Sequence, residues 1–225
     1  MNNLSEIINK INTVNSEVSL NKLLSEISNM FNYHWAGFMV FTPLSASNLS
    51  ITAFGNTPSR FINDIKQDSR MLSYCMNEDK PIDFNKLMEI TESQPTITSD
   101  AAVELLIPIK GRGTEFACLI FSIPNNELSS DLIDKIGWYW LIPSTFIYSC
   151  YRKINSNRPT KITQREQECI KWASEGKTTW EISQILSISK STVNFHLANC
   201  IEKTGSINRQ QAIVKCLLDG QLLTI

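Results

Sequence analysis

Apolar residues recur at helical spacing at the start of the chain: Leu4, Ile7, Ile8 and Ile11, then Leu20, Leu23, Leu24, Ile27 and Phe31. An apolar face returning every 3.6 residues predicts two amphipathic helices there. Trp35 to Phe41 is a dense aromatic and aliphatic run ended by Pro43, which fits a mostly buried strand. Leu49 to Phe54 alternates and stops at Gly55, whereas Phe61 to Met76 is mixed and reads as helix. Val103 to Ile109 and Glu115 to Ile123 read as strands joined by Lys110-Gly111-Arg112-Gly113, a glycine-supplied hairpin turn. Pro124-Asn125-Asn126 closes the second strand, and Ser129 and Ser130 offer N-caps to a long helix from about Asp131 to Lys153. The predicted order, α-α-β-β-α-β-β-α, gives an α+β domain: an antiparallel sheet with helices packed on its faces.

The pattern breaks at 152–161, RKINSNRPTK, which is polar, lacks hydrophobic periodicity and contains Pro159. It is read as a linker between a domain over 1–151 and another over 162–225. The second domain has explicit punctuation. Thr163-Gln-Arg-Glu166 and Thr178-Thr-Trp-Glu181 are capping boxes, in which the hydroxyl takes an orphan N–H and the glutamate reaches back. Ser189 caps a third helix to about Lys203, and Asn208-Arg-Gln-Gln211 opens a fourth. The second and third helices, joined by a short turn at Ser187 to Ser189, form a helix-turn-helix within an all-α four-helix domain.

The third helix has two kinds of face. Val193, Leu197, Cys200 and Ile201 are apolar. Thr192, His196, Asn199 and Lys203 form a polar stripe, with Lys190, Ser191 and Asn194 near the N-terminal end. Hydroxyl, amide and ammonium groups are the types that reach base edges and phosphates in a major groove. The helix carries no carboxylate before Glu202, as a DNA-facing element requires, and its N-terminus adds N–H groups for a phosphate.

Charge sharpens this division. The whole chain has 21 Lys+Arg against 22 Asp+Glu, a net of −1, which argues against nucleic acid only as an average. Residues 1–157 hold 12 basic and 16 acidic side chains, and residues 158–225 hold 9 and 6, so the net is −4 before the boundary and +3 after it. Hydrophobic residues at 42% exclude disorder as the dominant state. The N-terminus lacks the basic-then-apolar pattern of a signal peptide, and no run of about 18 apolar residues offers a membrane span. A cytoplasmic location is therefore expected. Cys75, Cys118, Cys150, Cys169, Cys200 and Cys216 form no C-x-x-C pair and read as small buried hydrophobes. There is no Gly-x-Ser-x-Gly elbow, phosphate-cradling glycine loop or metal-ligand cluster, so no catalytic residue, metal or cofactor is expected.

The run Ile162-Thr-Gln-Arg-Glu166, Glu175-Gly176-Lys-Thr, Glu181-Ile182-Ser183, Leu186-Ser-Ile-Ser189, Thr192-Val-Asn-Phe-His-Leu-Ala-Asn199 and Lys203-Thr-Gly205, with Arg209 and Ala212, resembles the LuxR-type DNA-binding domain. The resemblance implies double-stranded DNA as partner, a third helix entering the major groove, and a fourth helix helping to form a dimer. By position it assigns Thr178 and Thr179 to backbone phosphate. It puts Lys190, Ser191, Thr192, Asn194, His196 and Lys203 on the recognition helix, where Asn194 and Lys190 are expected to read base edges and Lys203, with Thr178 and Thr179, to hold phosphate. RNA polymerase is a further candidate partner.

The first domain is similar to the autoinducer-binding domain of acyl-homoserine-lactone receptors, through Asn56-Thr-Pro58 to Phe61, Pro81-Ile-Asp-Phe84 and the strand pair at 103–123. That likeness implies an α-β-α sandwich enclosing a ligand cavity. Phe61, Ile65, Phe84 and Ile120 stand where the family has a tryptophan, a tyrosine, a second tryptophan and a small hydroxyl residue. Ser69 and Arg70 replace its Asp-Pro pair, with Asp68 one position away. Each lost partner of a buried amide or carbonyl costs about 1–3 kcal/mol. The expected ligand is accordingly a small molecule other than a standard acyl-homoserine lactone, or none. The alternatives are a true lactone receptor and a ligand-independent regulator that heterodimerises with a related receptor. Trp35, Phe38, Phe61, Tyr74 and Phe84 either line a cavity or fill it.

Overall fold

A computed structural model describes residues 4–45, 48–92, 102–111, 115–125, 128–156, 162–218 and 220–222. The chain divides into two compact units, whose boundary along the later part of the chain falls between Asn157 and Arg158.

Ahead of that boundary α1 (Leu4–Asn12) and α2 (Glu17–Phe31) precede β1 (Trp35–Ser45) and β2 (Asn48–Gly55). Then come α3 (Ser59–Gln67), α4 (Ser69–Asn77), β3 (Ile82–Asp83) and α5 (Phe84–Thr91). The unit closes with β4 (Ala102–Lys110), β5 (Phe116–Pro124) and α6 (Ser130–Ser156). The five strands lie in the order β2-β1-β5-β4-β3, and the β1–β5, β4–β5 and β3–β4 pairs are antiparallel. One face of the sheet carries Phe38, Leu105, Leu119 and Phe121 against Ile7 and Ile11 of α1, Leu20 and Leu24 of α2, and Trp140 and Ile147 of α6. The alternate residues face the other way. There Trp35 of β1 meets Phe61 of α3, and α4 and α5 pack on β4. Burial on both faces explains why β5 reads as a continuous apolar run rather than an alternating one.

The predicted order holds with three differences. The segment from Phe61 to Met76 is two helices, because Asp68 is extended (φ −102, ψ 99) and its carboxylate takes the N–H groups of Arg70 and Met71 to start α4. Helix α5 and the two-residue β3 are additional, with Asp83 serving as the N-cap of α5. Helix α6 runs on to Ser156, so helix covers the first five residues of the expected linker. Ser129 caps α6, its Oγ accepting the Leu132 N–H at 3.3 Å. The tip of the 110–113 turn, Asn126 and residues 157–161 lie outside the described residues.

The second unit has α7 (Gln164–Ser174), α8 (Thr179–Ile185), α9 (Lys190–Lys203) and α10 (Arg209–Leu218). Both capping boxes are formed, at Thr163/Glu166 and Thr178/Glu181, and Ser189 caps α9 by accepting the Thr192 N–H. Asn208 Oδ1 accepts the Gln211 N–H at 2.8 Å at the start of α10. Ser187 takes the left-handed conformation, φ +54, in the turn between α8 and α9. Cys169, Ile170, Ile182, Val193, Leu197, Cys200, Ala212 and Cys216 make the core. All six cysteines are buried and none forms a disulfide, and burial pushes the Cys75 and Cys200 thiols up to about 12. They are inert packing groups at neutral pH. No described helix is long and apolar enough to cross a membrane. Among the described residues no group of three His, Cys, Asp or Glu could hold a metal.

Candidate functional site

Helix α9 is held by α7, α8 and α10, with Val193, Leu197 and Cys200 turned into the core. That buried stripe fixes which residues face outward. Lys190, Ser191, Asn194, Phe195, Ala198 and Glu202 are exposed, whereas Thr192, His196, Asn199 and Lys203 are half-buried. The expected polar stripe therefore occupies the flank beside the core, and the outward face is displaced from it by one residue, about 100° of helix rotation.

The flank residues have internal duties. Lys203 Nζ donates to both carboxylate oxygens of Glu166, at 2.9 and 2.7 Å. Burial alone would raise the Glu166 carboxyl, but bonds from Lys203, from Thr163 and from Asn199 outweigh it and hold the group below the usual range. Thr192 Oγ1 and Ser189 Oγ are 2.8 Å apart at the helix start, and His196 Nδ1 is buried with no hydrogen-bond partner among the described residues.

At the start of α8, Thr178 Oγ1 donates to Glu181 Oε2 at 2.9 Å and accepts the Glu181 N–H. Its backbone N–H and hydroxyl bonds are what lower the exposed Glu181 carboxyl. Thr179 Oγ1 donates to Asn194 Oδ1 at 3.2 Å, tying the two helices of the helix-turn-helix together at the outward face. With one acceptor site on Asn194 engaged, its two N–H donors remain directed by that contact. Arg209 donates to the Lys177 carbonyl, and Lys215 to the carbonyls of Thr204 and Gly205, so these cations brace loops. Lys190 is exposed at the first position of α9, and no ion pair is formed by it among the described residues.

In the first unit the structure brings four of the candidate ligand residues together on one face of the sheet. Phe61 and Phe84 rings lie 4.8 Å apart, and Trp35 lies 5.4 Å from Phe61. Ile65 and Ile120 are buried, Ile120 on the strand position opposite Gly37. A Cβ on Gly37 would strike the Thr57 hydroxyl, so glycine lets the Asn56-Thr57-Pro58 segment lie on the sheet.

Phe38 is separated from this group. Its side chain points to the opposite face, where its ring lies 5.7 Å from Tyr151. Strand parity is the reason: Phe38 pairs with Leu119, and its neighbour Gly37 pairs with Ile120. Asp68 serves as the α4 cap, and Tyr74 is half-buried with its hydroxyl raised by burial and then by Glu78.

A polar pair on the aromatic face was missed at the sequence level. Ser122 Oγ donates to Glu104 Oε1 at 3.2 Å, and Glu104, Ser122 and Trp35 are in register across β4, β5 and β1. Burial pushes the Glu104 carboxyl up, partly offset by Ser122 and His34. The available signal was a lone carboxylate inside the apolar run 102–109. On the other side of the sheet, Phe31, Tyr33, Leu128, Leu132, Ile136 and Tyr139 line a groove of about 560 Å³ that includes none of the candidate ligand residues.

Residues 160–216 match the family described as bacterial regulatory proteins, luxR family. Over its length the chain is 31% identical to the transcriptional activator protein LuxR of Aliivibrio fischeri, covering 96% of this chain and 93% of that one. It is 28% identical to the transcriptional activator protein AhyR of Aeromonas hydrophila, over 98% and 92%. Among solved structures, Escherichia coli SdiA aligns with a TM-score of 0.70 at 16% identity over 98% of each chain. SdiA in complex with octanoyl-rac-glycerol aligns at 0.71 and 17%, over 97% of this chain and 95% of the other. At that identity the two solved structures speak for the fold.

Proposed function

The chain belongs to the LuxR family of bacterial regulatory proteins, and from that membership we propose how this transcriptional regulator divides its work between the two units. The C-terminal unit docks α9 in the major groove of double-stranded DNA. Lys190, Ser191 and Asn194 read base edges, and Thr178 and Thr179 stand by the phosphate backbone. The supporting observation is the outward face of α9, which carries Lys190, Ser191 and Asn194 and no carboxylate before Glu202. Lys203, which the resemblance places on the recognition helix, acts instead inside the domain as the partner of Glu166.

The protein works as a homodimer in the cytoplasm, and exposed Val214 and Leu217 on α10 suit the second copy. Heterodimerisation with a related receptor and contact with RNA polymerase are further proposals that membership of the family suggests. The protein is a regulator and carries out no catalysis of its own.

The N-terminal unit takes a small, mainly apolar molecule on the Phe61, Ile65, Phe84 and Ile120 face, without the polar anchors a standard acyl-homoserine lactone requires. One SdiA structure carries octanoyl-rac-glycerol, an acyl ligand with no lactone ring, which makes acylglycerols a reasonable first probe. Heat denaturation with octanoyl-rac-glycerol and with lactones of graded chain length tests this reading. A ligand at 100 times its dissociation constant adds about 2.7 kcal/mol of stability. Stabilisation by a lactone and not by the acylglycerol would overturn the ligand assignment. For the DNA reading, affinity must fall steeply with salt as Lys and Arg displace counterions, and a flat response counts against it.

A further inference from the structure

Phe195 is 62% exposed in the middle of the outward face of α9. Its neighbours on that face are Ser191 one turn before, Asn194 beside it and Ala198 one turn after, all exposed. Its ring meets His196 edge-to-face, 5.8 Å between centroids, yet most of its surface stays in water. That surface is buried only if the partner offers an apolar spot there. The exposed Val214 and Leu217 of α10 offer a second copy of the chain a separate apolar patch. The surroundings of Phe195, with Lys190 and no carboxylate before Glu202, suit a polyanion.

On the reading that α9 enters the major groove, we propose that Phe195 is a specificity-determining residue that packs on the C5-methyl group of a thymine in each half-site. Thymine alone presents a methyl group in that groove, while the other base edges present donors or acceptors that a phenyl ring cannot satisfy. Placing the ring on those edges strips water from a polar group without replacing it. The contact therefore selects thymine at one position and penalises the alternatives. Asn194, adjacent in sequence and fixed by Thr179, reads the neighbouring base, so the thymine lies next to a base read by an amide.

The test removes the methyl group alone. The duplex most enriched from a random pool by the full-length protein serves as probe, and each thymine is replaced singly by deoxyuridine. Affinities are measured for the wild type and for Phe195→Ala, whose unchanged melting temperature confirms its folding. The wild type should lose about fourfold per half-site at one thymine, the effect of one buried methyl group. Phe195→Ala should bind the thymine probe correspondingly less well and be indifferent to deoxyuridine at that position. If no thymine methyl matters, or if deoxyuridine costs both proteins the same, the assignment of Phe195 is wrong while DNA recognition stands. Failure of any duplex to enrich overturns both this assignment and the DNA reading beneath it.

Discussion

Glu166 is 2% exposed, yet its carboxyl is held low because Lys203, Thr163 and Asn199 bond to the ionised form. A carboxyl lowered in the folded state contributes stability above its unfolded value, and that contribution is lost as pH falls through the folded value. Lys203→Ala leaves a buried carboxylate without its cation. It should cost about 2–3 kcal/mol, under the roughly 3–5 of a fully buried pair because Lys203 stays partly exposed. Chemical denaturation at pH 7 measures this, and the variant should also lose less stability than the wild type on acidification below about pH 4. An unchanged acid limb contradicts the assignment. Glu104 behaves in the opposite sense. Its carboxyl is raised by burial, so its contribution is present in acid and lost as pH rises through the raised value. Glu104→Gln keeps the Ser122 bond and should be more stable than the wild type at pH 7, with the difference vanishing below about pH 4. Glu166 could be read as a cap because its partner Thr163 is three residues away. Its tie to Lys203, 37 residues on, depends on how α9 lies against α7 and is not written in local sequence.

The helices of the C-terminal unit were legible because each start is encoded within four residues. Thr178 and Ser189 are N-caps by sequence and by geometry. Thr178→Ala should cost about 1 kcal/mol, and Thr178→Ser should restore most of it, as thermal unfolding will show. Equal stability of all three proteins contradicts the cap. Periodicity gave the buried stripe of α9 at Val193, Leu197 and Cys200, but not which polar residues lie opposite it. A stripe of Thr192, His196, Asn199 and Lys203 looks solvent-facing in sequence, yet the packing of Val193, Leu197 and Cys200 turns Asn194, Phe195 and Ala198 outward. The N-terminal unit was less legible for a related reason. The break at Asp68 depends on an extended backbone at one residue, and β3 is only two residues long. Phe38 was grouped with Trp35, Phe61, Tyr74 and Phe84 by residue type, although register places it on the face of the sheet opposite to Trp35. Faces of a strand follow from parity with the neighbouring strand, which composition does not reveal.

The two units differ in what their folds demand of a partner. The N-terminal unit buries both faces of its sheet, so a ligand must enter among side chains such as Phe61 and Phe84 that already touch one another. Rebuilding that face with Phe61→Trp and Ile120→Ser together restores two polar partners of the lactone-type site, and should shift thermal stabilisation from acylglycerol toward lactone. No change in preference argues that this face holds no ligand. The C-terminal unit, by contrast, needs no rearrangement to present Lys190, Ser191 and Asn194. Its claim on DNA is tested most directly by the ratio of dissociation constants for a selected and a random duplex, measured at one salt concentration with the full-length protein. The expected ratio is about 10³ or more for the wild type. In Asn194→Ala it should fall by about tenfold or more, as loss of a base-edge contact requires. A ratio near one for the wild type, or an unaltered ratio in Asn194→Ala, contradicts sequence reading by the outward face of α9.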